Sequence, residues 1–234
     1  MQPYFMPYIG YWQLLSAVDR FIVLDDVAFI RRGWINRNRI LVNGRVHLFT
    51  LPVRAASQNR TINELELATD AGWRKSFAST LEQSYRKAPC FEETMDFLAP
   101  ILADCRGRLL PFLVSSIDAV ASHLDIRTPR TLASSVDDRQ RSRGQERIVD
   151  FCRIEGATDY INLPGGRELY RKETFQRCGI RLGFLAPHLR PYRQHPPGQW
   201  WPWLSIIDLL MNLGAQGARQ ELAQYRIDTT SQEQ

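Results

Sequence analysis

The sequence predicts an α/β protein: a mostly parallel sheet flanked by helices, with a β-hairpin and a helical middle segment. Three observations lead there. Short apolar runs at residues 21–24, 159–162 and 180–185 alternate with helical periodicity, the pattern of strand–helix crossovers. Asn43-Gly44 sits between two runs of strand formers and is a strong hairpin signal. Trp73, Phe77, Leu81 and Tyr85 recur at steps of four, and residues 91–105 and 109–124 carry similar stripes. The whole chain, residues 1–234, reads as one α/β domain with its helical middle at about 73–124.

Along the chain, residues 1–10 interleave aromatics and prolines, which suits a structured loop and neither a helix interior nor a central strand. A short helix is expected over 11–18, then a buried strand over 21–24 that ends in Asp25-Asp26. Residues 29–41 are basic, and the arginine-rich loop from Arg31 to Arg39 leads into the hairpin. After the helical middle, the polar stretch 126–143, with Ser134-Ser135-Val136-Asp137-Asp138, reads as a mobile or ligand-covering loop. A helix is expected over 144–155 and a strand over 159–162. The turn Pro164-Gly165-Gly166 is expected to need special backbone angles. A helix over 168–178 stops at Gly179, and a strand follows over 180–185. A loop rich in proline, arginine and tryptophan fills 187–202. The closing helix runs over 205–213, with Ser205 as N-cap and Asp208 three residues on, close to a capping box.

Composition narrows the function classes. The apolar share of 44% and charged share of 24% are those of a soluble globular protein. No uncharged apolar run approaches the roughly 20 residues of a membrane span, and no secretory signal opens the chain, so a cytoplasmic protein with no membrane partner is expected. The four cysteines and four histidines are scattered without metal-ligand spacing, so free thiols and no metal site are expected. The formal charge of +5, supplied mainly by arginine, suits a phosphate or carboxylate ligand; no nucleic-acid-binding signature accompanies it. No nucleophile elbow, zinc helix or Walker loop is present, which leaves the cofactor open.

Parallel sheets bind ligands at the carboxyl ends of their strands. Asp25 and Asp26 lie at such an end, and so does Gly165-Gly166, whose amides can approach an anion; both also suit ordinary turns and caps. Within six residues, Trp34, Asn36, Arg37, Asn38 and Arg39 combine a stacking surface, amides and guanidinium groups, an inventory for a nucleotide or sugar phosphate. In an extended segment Arg37 and Arg39 share a face, which predicts a two-guanidinium clamp on a diphosphate. These segments are expected to converge on one cleft with the loop from Gln2 to Tyr11.

The strings QPYFMPYIGYWQL, VDRFIVLDDVAFIRRGWINRNRIL, GQERIVDFCRIEGATDYINLPGGRELY and LSIIDLLMNLG, in that order, resemble the WbqC-like family, a group tied to O-antigen and amino-sugar gene clusters. Members usually carry a short apolar strand before the Gln-Pro; here Met1 stands directly before Gln2, so a sheet without that central strand is expected. The opening also resembles nucleotidylyltransferase-type folds, but the histidines those folds use are absent. The resemblance implies an aminoacyl (glycyl) or acyl transferase acting on a nucleotide-linked amino sugar. The alternatives are a nucleotidyl or phosphoryl transferase-like enzyme, or a non-catalytic binding protein of a polysaccharide pathway. Asp25 or Asp26 would act as the base. Gln2, Tyr4, Tyr11, Trp34, Asn36, Arg37, Asn38, Arg39, Gly165, Gly166 and Tyr170 would bind substrate. The expected partners are a nucleotide-linked sugar or other phosphate-bearing small molecule, and an acyl or aminoacyl carrier.

Overall fold

A computed structural model describes residues 1–136 and 142–229. The chain opens with an irregular aromatic loop and α1 (Ile9–Ala17), then β1 (Phe21–Val23). The hairpin β2 (Arg37–Val42) and β3 (Arg45–Thr50) follows, with Asn43 and Gly44 both at positive φ, as the tight turn requires. A small ribbon, β4 (Val53–Arg54) with β5 (Glu66–Leu67), precedes the three helices of the middle, α2 (Ala71–Tyr85), α3 (Phe91–Ala103) and α4 (Leu109–His123). The last third holds β6 (Arg130–Leu132), α5 (Ala133–Val136), α6 (Gly144–Ile154), β7 (Asp159–Asn162), α7 (Lys172–Gln176), β8 (Arg181–Pro187), α8 (Ile206–Glu221) and β9 (Tyr225–Asp228).

The α/β class and the helical middle are those the sequence predicts, and among the described residues the strands are shared among four small sheets. β1 pairs with β6, and β7 with β8, both parallel; the hairpin, the β4–β5 ribbon and the β8–β9 pair are antiparallel. Two apolar clusters result. The larger joins the opening loop, α1, the hairpin, the middle helices and α8 around Trp12, Tyr11, Phe5 and Tyr85. The smaller packs α6 and α7 against β7 and β8 through Phe151, Phe175 and Leu182.

Between the two sets of parallel strands runs a groove of about 510 Å³, walled by Ile22 and Leu24 on one side and Tyr160 and Ile161 on the other. Met1 enters its end as a single residue of parallel ladder: its amine donates to Ile22 O at 2.7 Å, and Leu24 N–H donates to Met1 O at 2.8 Å. Leu14 of α1 and Phe151 of α6 also line the groove.

Several local expectations are corrected. The segment 168–178 is not one helix: a 3-10 turn (Pro164–Leu169) precedes the shorter α7. Gly165 and Gly166 keep ordinary φ, and a Cβ on Gly166 would make a tight 3.0 Å contact with Asn162 Nδ2. Ser205 caps α8 as expected, accepting from Ile207 N–H at 3.3 Å, but Asp208 completes no capping box because it faces inward to two tyrosines. The stretch 126–143 contains β6 and α5, while Asp137 and Asp138 lie outside the described residues.

Candidate functional site

Two cavities gather six of the thirteen residues that the sequence singles out: Asp25 and Asp26 line one, and Tyr4, Trp34, Asn38 and Arg39 line the other. The first is an open cleft of about 630 Å³ at the carboxyl ends of β1 and β6, lined by Asp25, Asp26, Asn63, Arg108 and Ser134 among others. Parallel pairing of these strands delivers the acids of one and the serine of the other to the same edge. Asp25 is buried; its Oδ1 accepts from Ser134 N–H at 3.0 Å and its Oδ2 from the Ser134 hydroxyl at 2.7 Å. Asp26 is buried too, and takes both guanidinium N–H groups of Arg147 from α6 at 2.8 and 2.6 Å. The two neighbours thus point to different partners, as alternation along an extended chain requires. Arg108 donates to Asn63 O at 2.7 Å across the rim.

The second cavity, about 270 Å³, is walled by Tyr4, Tyr8, Trp34 and Trp203, with Pro7, Asn38 and Arg39 completing it. Alternation along β2 puts Arg37 and Arg39 on its half-exposed face and turns Asn36 and Asn38 inward. The inward amides are structural: Asn36 Nδ2 donates to Leu51 O at 2.8 Å, and Asn38 Nδ2 donates to Met6 O at 2.7 Å, tying the opening loop to the hairpin. Arg37 Nε donates to Gly33 O at 2.9 Å and closes the arginine-rich loop. Arg39 stacks its guanidinium 4.6 Å from the Trp34 ring centre, and no carboxylate pairs with it among the described residues. Only one of the two expected clamp arginines lines the cavity.

Gln2 lies beneath this aromatic wall: its carbonyl accepts from the Tyr11 hydroxyl at 3.2 Å, and its Oε1 from the Tyr4 hydroxyl at 3.4 Å. Burial raises the phenol of Tyr11 well above its ordinary value, so it stays a neutral donor. Gly165 and Gly166 line neither cavity. Gly166 N–H is taken by Leu163 O, and Tyr170 joins a hydroxyl cluster with Tyr160 at 3.1 Å, to which Asn162 Nδ2 also donates. The expected single cleft is therefore divided between an acidic edge, an aromatic cavity and a tyrosine cluster.

Sequence reasoning passed over Arg147 and Trp203, and reached Tyr8 and Ser134 only as members of the opening loop and of the stretch 126–143; all four line or shape these cavities. Trp203 belongs to a loop whose path is held by Gln194, which exchanges hydrogen bonds with the backbone of Trp201. The tryptophan-rich composition of that loop was the available signal.

A profile of the WbqC-like protein family matches residues 2–220. The chain belongs to the WbqC-like protein family. A relative in Mycobacterium tuberculosis (strain ATCC 25618 / H37Rv), named Uncharacterized protein Rv1507c, is 33% identical over 218 residues, covering 92% of this chain and 93% of the relative. No solved structure is significantly similar to the chain. The match to the WbqC-like family spans both cavities and both apolar clusters. No helix among the described residues is long and apolar enough to cross a membrane.

Proposed function

We propose that this WbqC-like protein is an acyl or aminoacyl transferase acting on a nucleotide-linked amino sugar for surface-polysaccharide assembly, in the cytoplasm. The reading is carried by the open cleft at the strand ends, where a carboxylate, a serine hydroxyl, an amide and an arginine face one space. Asp25 is the better base of the two acids. Its partner Ser134 is a neutral hydroxyl able to relay a proton, whereas Asp26 has both oxygens on a guanidinium. In the step, the sugar amine attacks the carbonyl carbon of an activated ester or thioester donor. An N–C bond forms, and the amine proton passes to Asp25 directly or through Ser134. The bond from carbon to the donor's oxygen or sulfur breaks, and that atom leaves with the electron pair. Arg108 and the Asn63 amide are the donors for the developing oxyanion.

A non-catalytic binding protein is the second reading. It is favoured by one observation: Asp25, Asp26, Asn36 and Asn38 all hold protein partners of their own. Mass spectrometry of uridine-diphosphate amino sugars incubated with acyl and aminoacyl thioesters separates the two. Acylated sugar should form, and Asp25→Asn should slow it by about a hundredfold or more. No acylated product with any donor, or an undiminished rate in the variant, would leave the binding reading.

A further inference from the structure

We infer that the aromatic cavity beside Arg39 is an anchoring subsite for a ring that carries one phosphoryl group, the nucleoside monophosphate portion of a ligand. The inference rests on the nucleotide part of the proposed function and not on the transfer step.

Arg39 is the first reason. Its guanidinium is half-buried at the cavity, stacked on Trp34, and no carboxylate neutralises it among the described residues. A cation stacked on an aromatic face keeps its N–H edge free for an anion, and the guanidinium fork fits phosphate. Arg37, held at Gly33 O, lines none of this cavity, so one guanidinium is offered and one phosphoryl group is the matching charge.

The walls are the second reason. Tyr8 and Trp203 meet edge to face with ring centres 5.5 Å apart, and Tyr4 stands on the other side. Trp203 and Trp34 are among the most exposed large apolar side chains, at 50% and 40%, and both line the same small space. Such rings suit the face of a nucleobase or the C–H face of a sugar. The backbone holds them under constraint: Trp203 and Met6 both have positive φ, a conformation side-chain-bearing residues rarely adopt. Met6 O is fixed by Asn38 Nδ2 and the Ser205 hydroxyl, both at 2.7 Å, and Arg39 O accepts from Ser205 N–H at 2.8 Å. The opening loop, β2 and the start of α8 are thus pinned together around the cavity.

The hydroxyls are the third reason. Burial, reinforced by the neighbouring Tyr4, pushes the Tyr8 phenol up to about 12, and burial raises Tyr4. Both phenols stay protonated at neutral pH; the Tyr4 hydroxyl already donates to Gln2 Oε1 and can only accept from a ligand, so Tyr8 is the donor suited to a ribose or sugar oxygen. The volume of about 270 Å³ admits a base or one sugar ring with its phosphoryl group, and the rest of a larger ligand lies outside.

Calorimetry on the intact chain tests this with uridine monophosphate, uridine, inorganic phosphate and a hexosamine phosphate. Uridine monophosphate should bind more tightly than uridine or phosphate alone. Arg39→Gln should weaken it about tenfold or more. Trp203→Ala, a half-exposed position whose truncation leaves the core intact, should weaken uridine monophosphate but not inorganic phosphate. Arg31→Gln should bind like the parent. Tighter binding of the hexosamine phosphate would place the glycosyl end in the cavity and still support a ring-plus-phosphoryl site. Equal affinity in Arg39→Gln with the fold intact, or no saturable binding of any probe at millimolar concentration, would overturn the inference. Binding through Arg39 without any transfer activity would sink the transfer reading and leave the subsite standing.

Discussion

Asp26 and Arg147 form the most buried ion pair among the described residues, with the two side chains 2% and 10% exposed. Removing one partner from a buried pair leaves a charge that the interior solvates poorly, so Arg147→Ala should cost about 3 kcal/mol or more in urea unfolding. A loss below about 1 kcal/mol would mean that water reaches Asp26 in the folded state. Gly10 supports the aromatic cavity from inside α1. A Cβ there would come within 2.4 Å of Tyr8 Cε2, closer than any contact carbon tolerates. Gly10→Ala should therefore cost about 1–3 kcal/mol through overpacking and move the Tyr8 ring. Thermal unfolding gives the first effect, and loss of the tighter uridine monophosphate affinity gives the second.

At the scale of elements, Asp208 at the start of α8 joins three segments. It accepts from the hydroxyls of Tyr85 on α2 at 2.8 Å and Tyr192 in the tryptophan-rich loop at 2.6 Å, and from Gln194 at 3.1 Å. Tyr85 also receives Leu41 N–H of β2 at 2.9 Å, so one phenol bonds both the hairpin and α8. Tyr85→Phe should cost about 1–3 kcal/mol, because a buried amide and a buried carboxylate each lose a partner. Burial raises the Asp208 carboxyl above its ordinary 3.8, against the lowering by its three hydrogen bonds. The folded state then holds the proton more firmly than the unfolded chain. This contribution is fully present below the unfolded value and is lost as pH rises through the folded one. The thermal advantage of the parent over Asp208→Asn should be largest below pH 3.8 and shrink as pH rises toward neutrality. An advantage that grows with pH would contradict a raised carboxyl.

For the whole molecule, the groove between β1 and β7 leaves two parallel edges facing each other, with Met1 hydrogen-bonded to the β1 edge. Buried strand edges want partners for their N–H and C=O groups. A free peptide of about five alternating apolar residues should enter the groove, pair with both edges and raise Tm by a few degrees. Hydrogen exchange should slow at Ile22, Leu24 and Ile161. No change in Tm or exchange would mean that the edges are satisfied as they stand.

The order and type of most elements were legible because they depend on neighbours in sequence. Asn43-Gly44 makes its turn from its own backbone freedom, the apolar steps of α2 and α4 mark their buried faces, and Ser205 caps α8 from its own hydroxyl. The short strands β4, β5, β6 and β9 were not legible. Two to four residues carry little periodicity, and their pairing is decided by distant partners. The same division runs through the candidate site. Residue types announced acids at a strand end and an arginine beside a tryptophan. Only the fold could decide that Asp25 would meet Ser134, 109 residues away, and Asp26 would meet Arg147, 121 residues away. Only the fold could turn Asn36 and Asn38 to backbone carbonyls while Arg39 faces a cavity with Trp203. A polar side chain serves a ligand or a buried carbonyl equally well by its chemistry, and long-range packing sets which of the two lies within reach.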